Sequence, residues 1–168
     1  MTVFPVIQTK RLLLRKLTHS DVTPMIEIAN YSIKNATKAQ TLELIDKANT
    51  QFESGEGISW GMELDGKIIG SIGYYRGFAN ETGEIGYVMC EAFKRKGYMA
   101  EAATAVMNVG WNKLKLKRIT AYTEIDNLAS VLLLEKLGFR NTNQTFKHYT
   151  IFEMLRKDAS KKDESSPV

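Results

Sequence analysis

Two apolar runs, ISWGMEL (58–64) and KIIGSIGYY (67–75), meet at the dipeptide Asp65-Gly66. Asp-Gly supplies the positive φ values that a two-residue hairpin turn requires, so the runs are expected to pair as antiparallel strands. The turn FANETG (78–83) and the run EIGYVM (84–89) follow, adding a third consecutive strand in a meander. A chain with a sheet at its centre has to cover it, and both flanks change to a helical period. Val22, Met25, Ile26, Ala29 and Ile33 recur at helical spacing behind a Thr18 cap with Asp21 in the first turn. Thr37 and Gln40 form a T-x-x-Q capping box, Leu42, Ile45, Ala48 and Phe52 share one face, and Gly55 sits where that helix should stop.

RLLLRKL (11–17) reads as a strand ahead of these helices. After Gly97, the residues Met99, Ala103, Val106, Gly110 and Leu114 mark another helix. RITAYT (118–123) is rich in strand formers. Asp126 or Asn127 can cap LASVLLLEKL, which Gly138 would close, and strand returns from Phe139, with FKHYTIFEML (146–155) as the last strand. The order is strand, two helices, three strands, helix, strand, helix and one or two strands. This is a mixed α/β layered domain over residues 1–156. The segment 157–168, charged and almost without apolar residues, is expected to be a disordered tail.

Composition excludes more than it identifies. With 168 residues the chain suits one domain, and no run approaches the ~20 apolar residues of a membrane span. MTVFPVIQTKRLLLRKL lacks the ordered regions of a signal peptide, and a cytoplasmic setting is expected. One cysteine and two histidines disfavour a Cys/His metal site, and no metal is expected. A net charge of +4 is too mild for a dedicated nucleic-acid binder, despite the clusters KRK (94–96) and KLKLKR (113–118). Walker, GxGxxG strand-to-helix and GxSxG patterns are absent.

The segment FKRKGYMAEA (93–102) has the parts of an anion site. It opens a helix, whose first N–H groups lack intrahelical partners and sit at the positive end of the dipole. Gly97 lets an anion approach the backbone, and Lys94, Arg95 and Lys96 add charge around it. On this segment alone, a solvated basic turn is an equal alternative.

EIGYVMCEAFKRKGYMAEA, RITAYT and EIDNLASVLLLEKLGF together resemble the GNAT superfamily of acyl-CoA-dependent N-acyltransferases, and within it the branch that acetylates the N-terminal amines of ribosomal proteins. The likeness runs from about Thr9 to Phe139 and is sharpest from Glu84. It implies a single α/β (α+β layered) GNAT-like domain, with a mixed, mostly antiparallel sheet, about four helices, and splayed central strands holding acetyl-CoA. The superfamily loop Gln/Arg-x-x-Gly-x-Gly/Ala reads here Lys94-Arg95-Lys96-Gly97-Tyr98-Met99, with Lys and Met as departures. By resemblance the amides from Arg95 through Ala100 hold the pyrophosphate, the backbone of Val88, Met89 and Cys90 takes the pantetheine arm, and Asn127 and Ser130 contact that arm from the next helix.

The implied reaction is direct attack of a neutral amine on the thioester. Glu84 is the candidate base, with a structural or substrate-binding carboxylate as the equal alternative. The N–H of Val88 or Met89 would meet the oxyanion. Many members carry a Tyr just before Glu-Lys-x-Gly-Phe as the acid for the leaving thiolate; Leu134 stands there, and Ser130 is the substitute the branch suggests. Cys90 as a nucleophile is the weaker reading, since a lone strand cysteine is more often a small buried hydrophobe. The expected function is acetyl transfer to a primary amine, a protein N-terminus or a small molecule. A non-catalytic acyl-CoA sensor of the same fold is the alternative, and a homodimer stays open.

Overall fold

A computed structural model describes residues 3–156; the expected tail, 157–168, lies outside the described residues. An eight-stranded sheet runs in the order β1-β2-β3-β4-β5-β6-β8-β7. Its strands are β1 (Ile7–Gln8), β2 (Leu13–Arg15), β3 (Ile58–Leu64), β4 (Lys67–Tyr75), β5 (Thr82–Met89), β6 (Arg118–Thr123), β7 (Arg140–Phe146) and β8 (Tyr149–Leu155). Among the described residues the α-helices are, in chain order, α1 (Val22–Ala29), α2 (Lys38–Ser54), α3 (Tyr98–Asn112) and α4 (Leu128–Leu137). By packing, the chain forms two compact units: the part up to Gly77 with Gly86–Val106, and Phe78–Ile85 with the part from Met107 onward.

The first unit is built on the β3–β4 hairpin. The two strands pair from Ile58↔Tyr74 to Leu64↔Lys67, and the turn has φ of +49° at Asp65 and +79° at Gly66, as its Asp-Gly sequence requires. β1, β2 and β3 continue the antiparallel ladder. Arg15, inside β2, ties this edge to the following turn: its guanidinium donates to both Asp21 oxygens at 2.8 Å and to Glu63. Asp21 also accepts from the Thr18 N–H at 2.8 Å. Burial alone would raise the Asp21 pKa, but these donors outweigh it and hold the carboxyl below its usual range. Thr37 caps α2 reciprocally with Gln40, and Gly55 ends it at φ +76°. Leu17, Val22, Met25, Ile28, Ile45, Ile68 and Cys90 form one apolar cluster beneath α1 and α2.

In the second unit β5 pairs with β6 in parallel over Thr82↔Arg118, Gly83↔Ile119 and Glu84↔Thr120. That ladder takes three of the eight residues of β5. β6 pairs antiparallel with β8, and β8 with β7, so the last hairpin places its second strand next to β6. Leu134 of α4 is buried, with Ile119, Ala121, Phe139 and Phe152 among the other buried side chains of this unit.

Three expectations need correction. The strand expected over 11–17 is only Leu13–Arg15, and a short strand at Ile7–Gln8 precedes it. The first helix ends at Ala29 rather than running to Ile33, because Asn30 turns its side chain to accept from the Ala36 N–H at 2.8 Å and closes a loop. FKHYTIFEML is not one strand. Phe146 ends β7, Lys147 turns at φ +55°, and β8 starts at Tyr149.

Candidate active site

The candidates from Val88 to Ala100 lie in the first unit, where β5 runs out into α3. A Cβ at Gly70 of β4 would stand 2.7 Å from the Val88 carbonyl oxygen and 3.3 Å from the Met89 Cα, so a side chain there would push the strands apart. The Cys90 N–H donates to the Ile69 carbonyl at 2.9 Å. A trans peptide sets its C=O opposite its N–H. With the Val88 carbonyl facing β4, the Met89 N–H therefore points away from β4; with the Cys90 N–H facing β4, so does the Met89 carbonyl. Glu84, Gly86 and Val88 share one face of β5 by alternation. The Tyr75 ring closes over Gly86, where an added Cβ would lie 3.0 Å from the ring. Burial raises the Tyr75 pKa, partly offset by hydrogen bonds with Ser59 and Ser71, so the phenol stays protonated at neutral pH.

Beyond β5, Glu91–Phe93 make one 3-10 turn, whose first amide donates to the Glu27 carboxylate at 2.8 Å. The chain then takes positive φ at Arg95 (+62°) and Gly97 (+80°) before α3 begins. The Gly97 carbonyl accepts the first helical bond, from the Glu101 N–H at 3.1 Å, which makes Gly97 the N-cap. A glycine cap has no side-chain oxygen to give to the amides that follow. Arg95, Lys96 and Gly97 are exposed, and Lys94, Tyr98, Met99 and Ala100 are half-buried.

Two basic side chains of the loop have local partners. Lys94 Nζ lies 2.6 Å from the Glu91 carboxylate and over the Tyr31 ring, and Lys96 Nζ donates to the Ala92 carbonyl at 3.0 Å. Bonding to Glu91, then to Tyr31, raises the Lys94 pKa, so it stays charged. The organiser of the loop is a residue that sequence reasoning missed. Arg11 donates from Nη1 to the Lys96 carbonyl at 3.0 Å, pairs with Glu101 Oε2 at 2.7 Å, and stacks 4.3 Å above the Tyr98 ring. A Cβ on Gly97 would meet the Arg11 guanidinium at 3.4 Å. The partners are 85 to 90 positions apart in sequence, and no local pattern signals the contact.

The remaining candidates lie in the second unit. Glu84 is half-buried on β5, opposite Thr120. Asn127 is the N-cap of α4, where its Oδ1 accepts from the Ser130 N–H at 3.3 Å, leaving the amide nitrogen as a donor. Ser130 is half-buried in the first turn of α4. Leu134 is 1% exposed and belongs to the core of its unit, so the position that is Tyr in many superfamily members carries packing here. Cys90 is buried; burial first, and the nearby Glu27 carboxylate second, push its thiol up to about 11. A thiol held protonated is a poor nucleophile, which disfavours an acyl-enzyme.

Within a mixed α/β sheet, β5 leads through a basic loop into a helix whose N-cap is glycine. The GNAT acetyltransferase domain matches residues 11–140, and the chain belongs to the GNAT family. It is 32% identical over 149 residues to the uncharacterized N-acetyltransferase YoaA of Bacillus subtilis, covering 82% of this chain and 84% of that protein. Among solved structures, a putative ribosomal-protein-serine acetyltransferase from Vibrio cholerae superposes with a TM-score of 0.80 at 20% identity, over 92% of this chain and 99% of that one. RimL, a ribosomal-protein α-N-acetyltransferase in complex with coenzyme A, superposes with a TM-score of 0.77 at 16% identity, over 92% and 99%. No helix among the described residues is long and apolar enough to cross a membrane.

Proposed function

We propose that this chain transfers an acetyl group from acetyl-CoA to a primary amine. The observation that carries the reading is the start of α3: a basic loop with two left-handed residues, a glycine N-cap, and helix amides without a side-chain cap from that glycine. Such a start suits a pyrophosphate, which takes backbone N–H donors and the positive end of a helix. Arg95 through Ala100 would hold it, with Lys94 and Lys96 as supporting charge. Val88, Met89 and Cys90 would take the extended pantetheine arm along the strand, and Asn127 Nδ2 would donate to the arm. The complex of RimL, a protein of the same fold, with coenzyme A supports this choice of donor.

In the reaction the neutral amine nitrogen attacks the thioester carbonyl. A C–N bond forms, and the carbonyl electrons move to oxygen. Collapse of the oxyanion breaks the C–S bond, and the thiolate takes a proton to leave as free coenzyme A. Glu84 is the proposed base for the amine proton, directly or through water. Of Val88 and Met89, Met89 is the proposed oxyanion donor, since its N–H points away from β4. Ser130 is the proposed proton source for sulfur, with Leu134 packed in the core. The acceptor is a protein N-terminus or a small amine, in a cytoplasmic setting where acetyl-CoA is made and used.

Incubating the protein with acetyl-CoA and a panel of N-terminal peptides, amino acids and polyamines, while following thiol release, tests the reading. Amine-dependent release is the expected outcome. Tight coenzyme A binding with no turnover on any amine would instead make the chain an acyl-CoA sensor.

A further inference from the structure

The connection between α1 and α2 sends one side chain to the donor segment. The Tyr31 hydroxyl donates to the Met89 carbonyl at 3.3 Å, and the Tyr31 ring lies 5.1 Å beneath the Lys94 ammonium. Lys94 is also held by Glu91 at 2.6 Å. The Met89 carbonyl is the acceptor that points away from β4, along the side where an extended arm would add. Lys94 is the first cation of the loop. Tyr31 is 52% exposed, so its cost in ordering is not repaid by burial of its ring. Its contacts go to the two pieces of the donor segment instead.

We propose that Tyr31 is a positioning residue for the acyl donor: its hydroxyl sets the Met89 carbonyl and its ring carries Lys94, so one side chain aligns the strand end with the cation of the phosphate loop. This rests on the acetyl-CoA reading above. Tyr31 touches neither the reacting carbonyl nor the amine in this assignment, so its influence falls on donor binding rather than on the chemical step. It also makes the α1–α2 connection part of the donor site, a role that nothing in its own sequence suggests.

Tyr31→Phe keeps the ring and removes the hydroxyl; Tyr31→Leu removes both. Coenzyme A affinity by calorimetry, the acetyl-CoA KM and kcat, and thermal melting are measured for the full chain and both variants. Loss of the hydroxyl, which bonds both the Met89 carbonyl and Lys94, should weaken coenzyme A about 3- to 10-fold in Tyr31→Phe. Loss of the cation–π contact should add roughly 2- to 5-fold in Tyr31→Leu. KM should rise in parallel, with kcat and the melting temperature unchanged. In a Lys94→Met background the additional loss in Tyr31→Leu should disappear. Tyr31→Phe binding coenzyme A as tightly as wild type, or a fall in kcat at constant KM, overturns the inference while leaving the acetyl-CoA reading in place. A wild-type protein that does not bind coenzyme A overturns both.

Discussion

The crossings from β5 to α3 and from β6 to α4 are built alike, strand to turn to helix, yet they treat the helix start in opposite ways. At α4 the chain supplies its own acceptor: Asn127 Oδ1 takes the Ser130 N–H, and the turn before it carries the acidic Glu124 and Asp126. At α3 the cap is Gly97, without a side chain, and the turn before it carries Lys94, Arg95 and Lys96. A helix that caps itself and lies behind carboxylates repels an anion. One capped by glycine behind cations suits an anion, since glycine offers its first amides no side-chain acceptor. On the proposed reading, identical secondary structure serves two ends, and the residue at the cap decides which.

The sharpest way to break this comparison is to separate chemistry from binding. Glu84→Gln should slow acetyl transfer by roughly 10²–10⁴-fold while calorimetry shows unchanged coenzyme A affinity. A rate within threefold of wild type would remove Glu84 as the base. Gly97→Glu puts a carboxylate at the α3 cap and gives it the polarity of α4; coenzyme A affinity should fall on the order of 100-fold, about 2.7 kcal/mol. Gly97→Ala carries the same left-handed strain, about 1–2 kcal/mol, without the charge. If both variants bind equally, backbone strain rather than anion exclusion is at work.

The reverse case is Asn127→Ala. Removing the α4 cap should cost about 1 kcal/mol of stability, a fall of roughly 2–4 °C in melting temperature, with a smaller effect on coenzyme A. A larger effect on binding than on stability would move Asn127 from cap to ligand. The smallest expected effect concerns Glu101, the acidic residue in the first turn of α3. Burial favours its neutral form, but Thr9 and Arg11 outweigh that and lower its pKa. A depressed folded pKa means that its stabilisation is present above the unfolded value of about 4.3 and is lost as pH falls through the folded pKa. Melting temperatures from pH 7 to pH 3 should therefore fall less steeply in Glu101→Gln than in wild type.

Much of this contrast was legible in the chain. β3, β4, β6 and α4 lie where period, turn and cap residues put them, because each is specified by neighbours within ten positions. The Thr37–Gln40 box and the Gly55 and Gly138 stops are equally local. Other features are set by tertiary contacts. β1 is two residues long and exists through its pairing with β2. Arg11 and Tyr31 act on a segment some sixty to ninety positions away, and nothing in RLLL or NYSI distinguishes them from ordinary surface. The α1 stop at Ala29 also depended on an Asn side chain folding back, which competes with helix period and won.

The burial of Cys90 has a practical consequence. It is the sole cysteine of the sequence, it lies in the apolar cluster beside Ile68, and its thiol stays protonated well above neutral pH. A thiol-reactive dye added to a native reaction should therefore see almost none of the protein. Each equivalent of colour then counts one molecule of released coenzyme A, and the same reagent becomes an unfolding probe once denaturant opens the cluster.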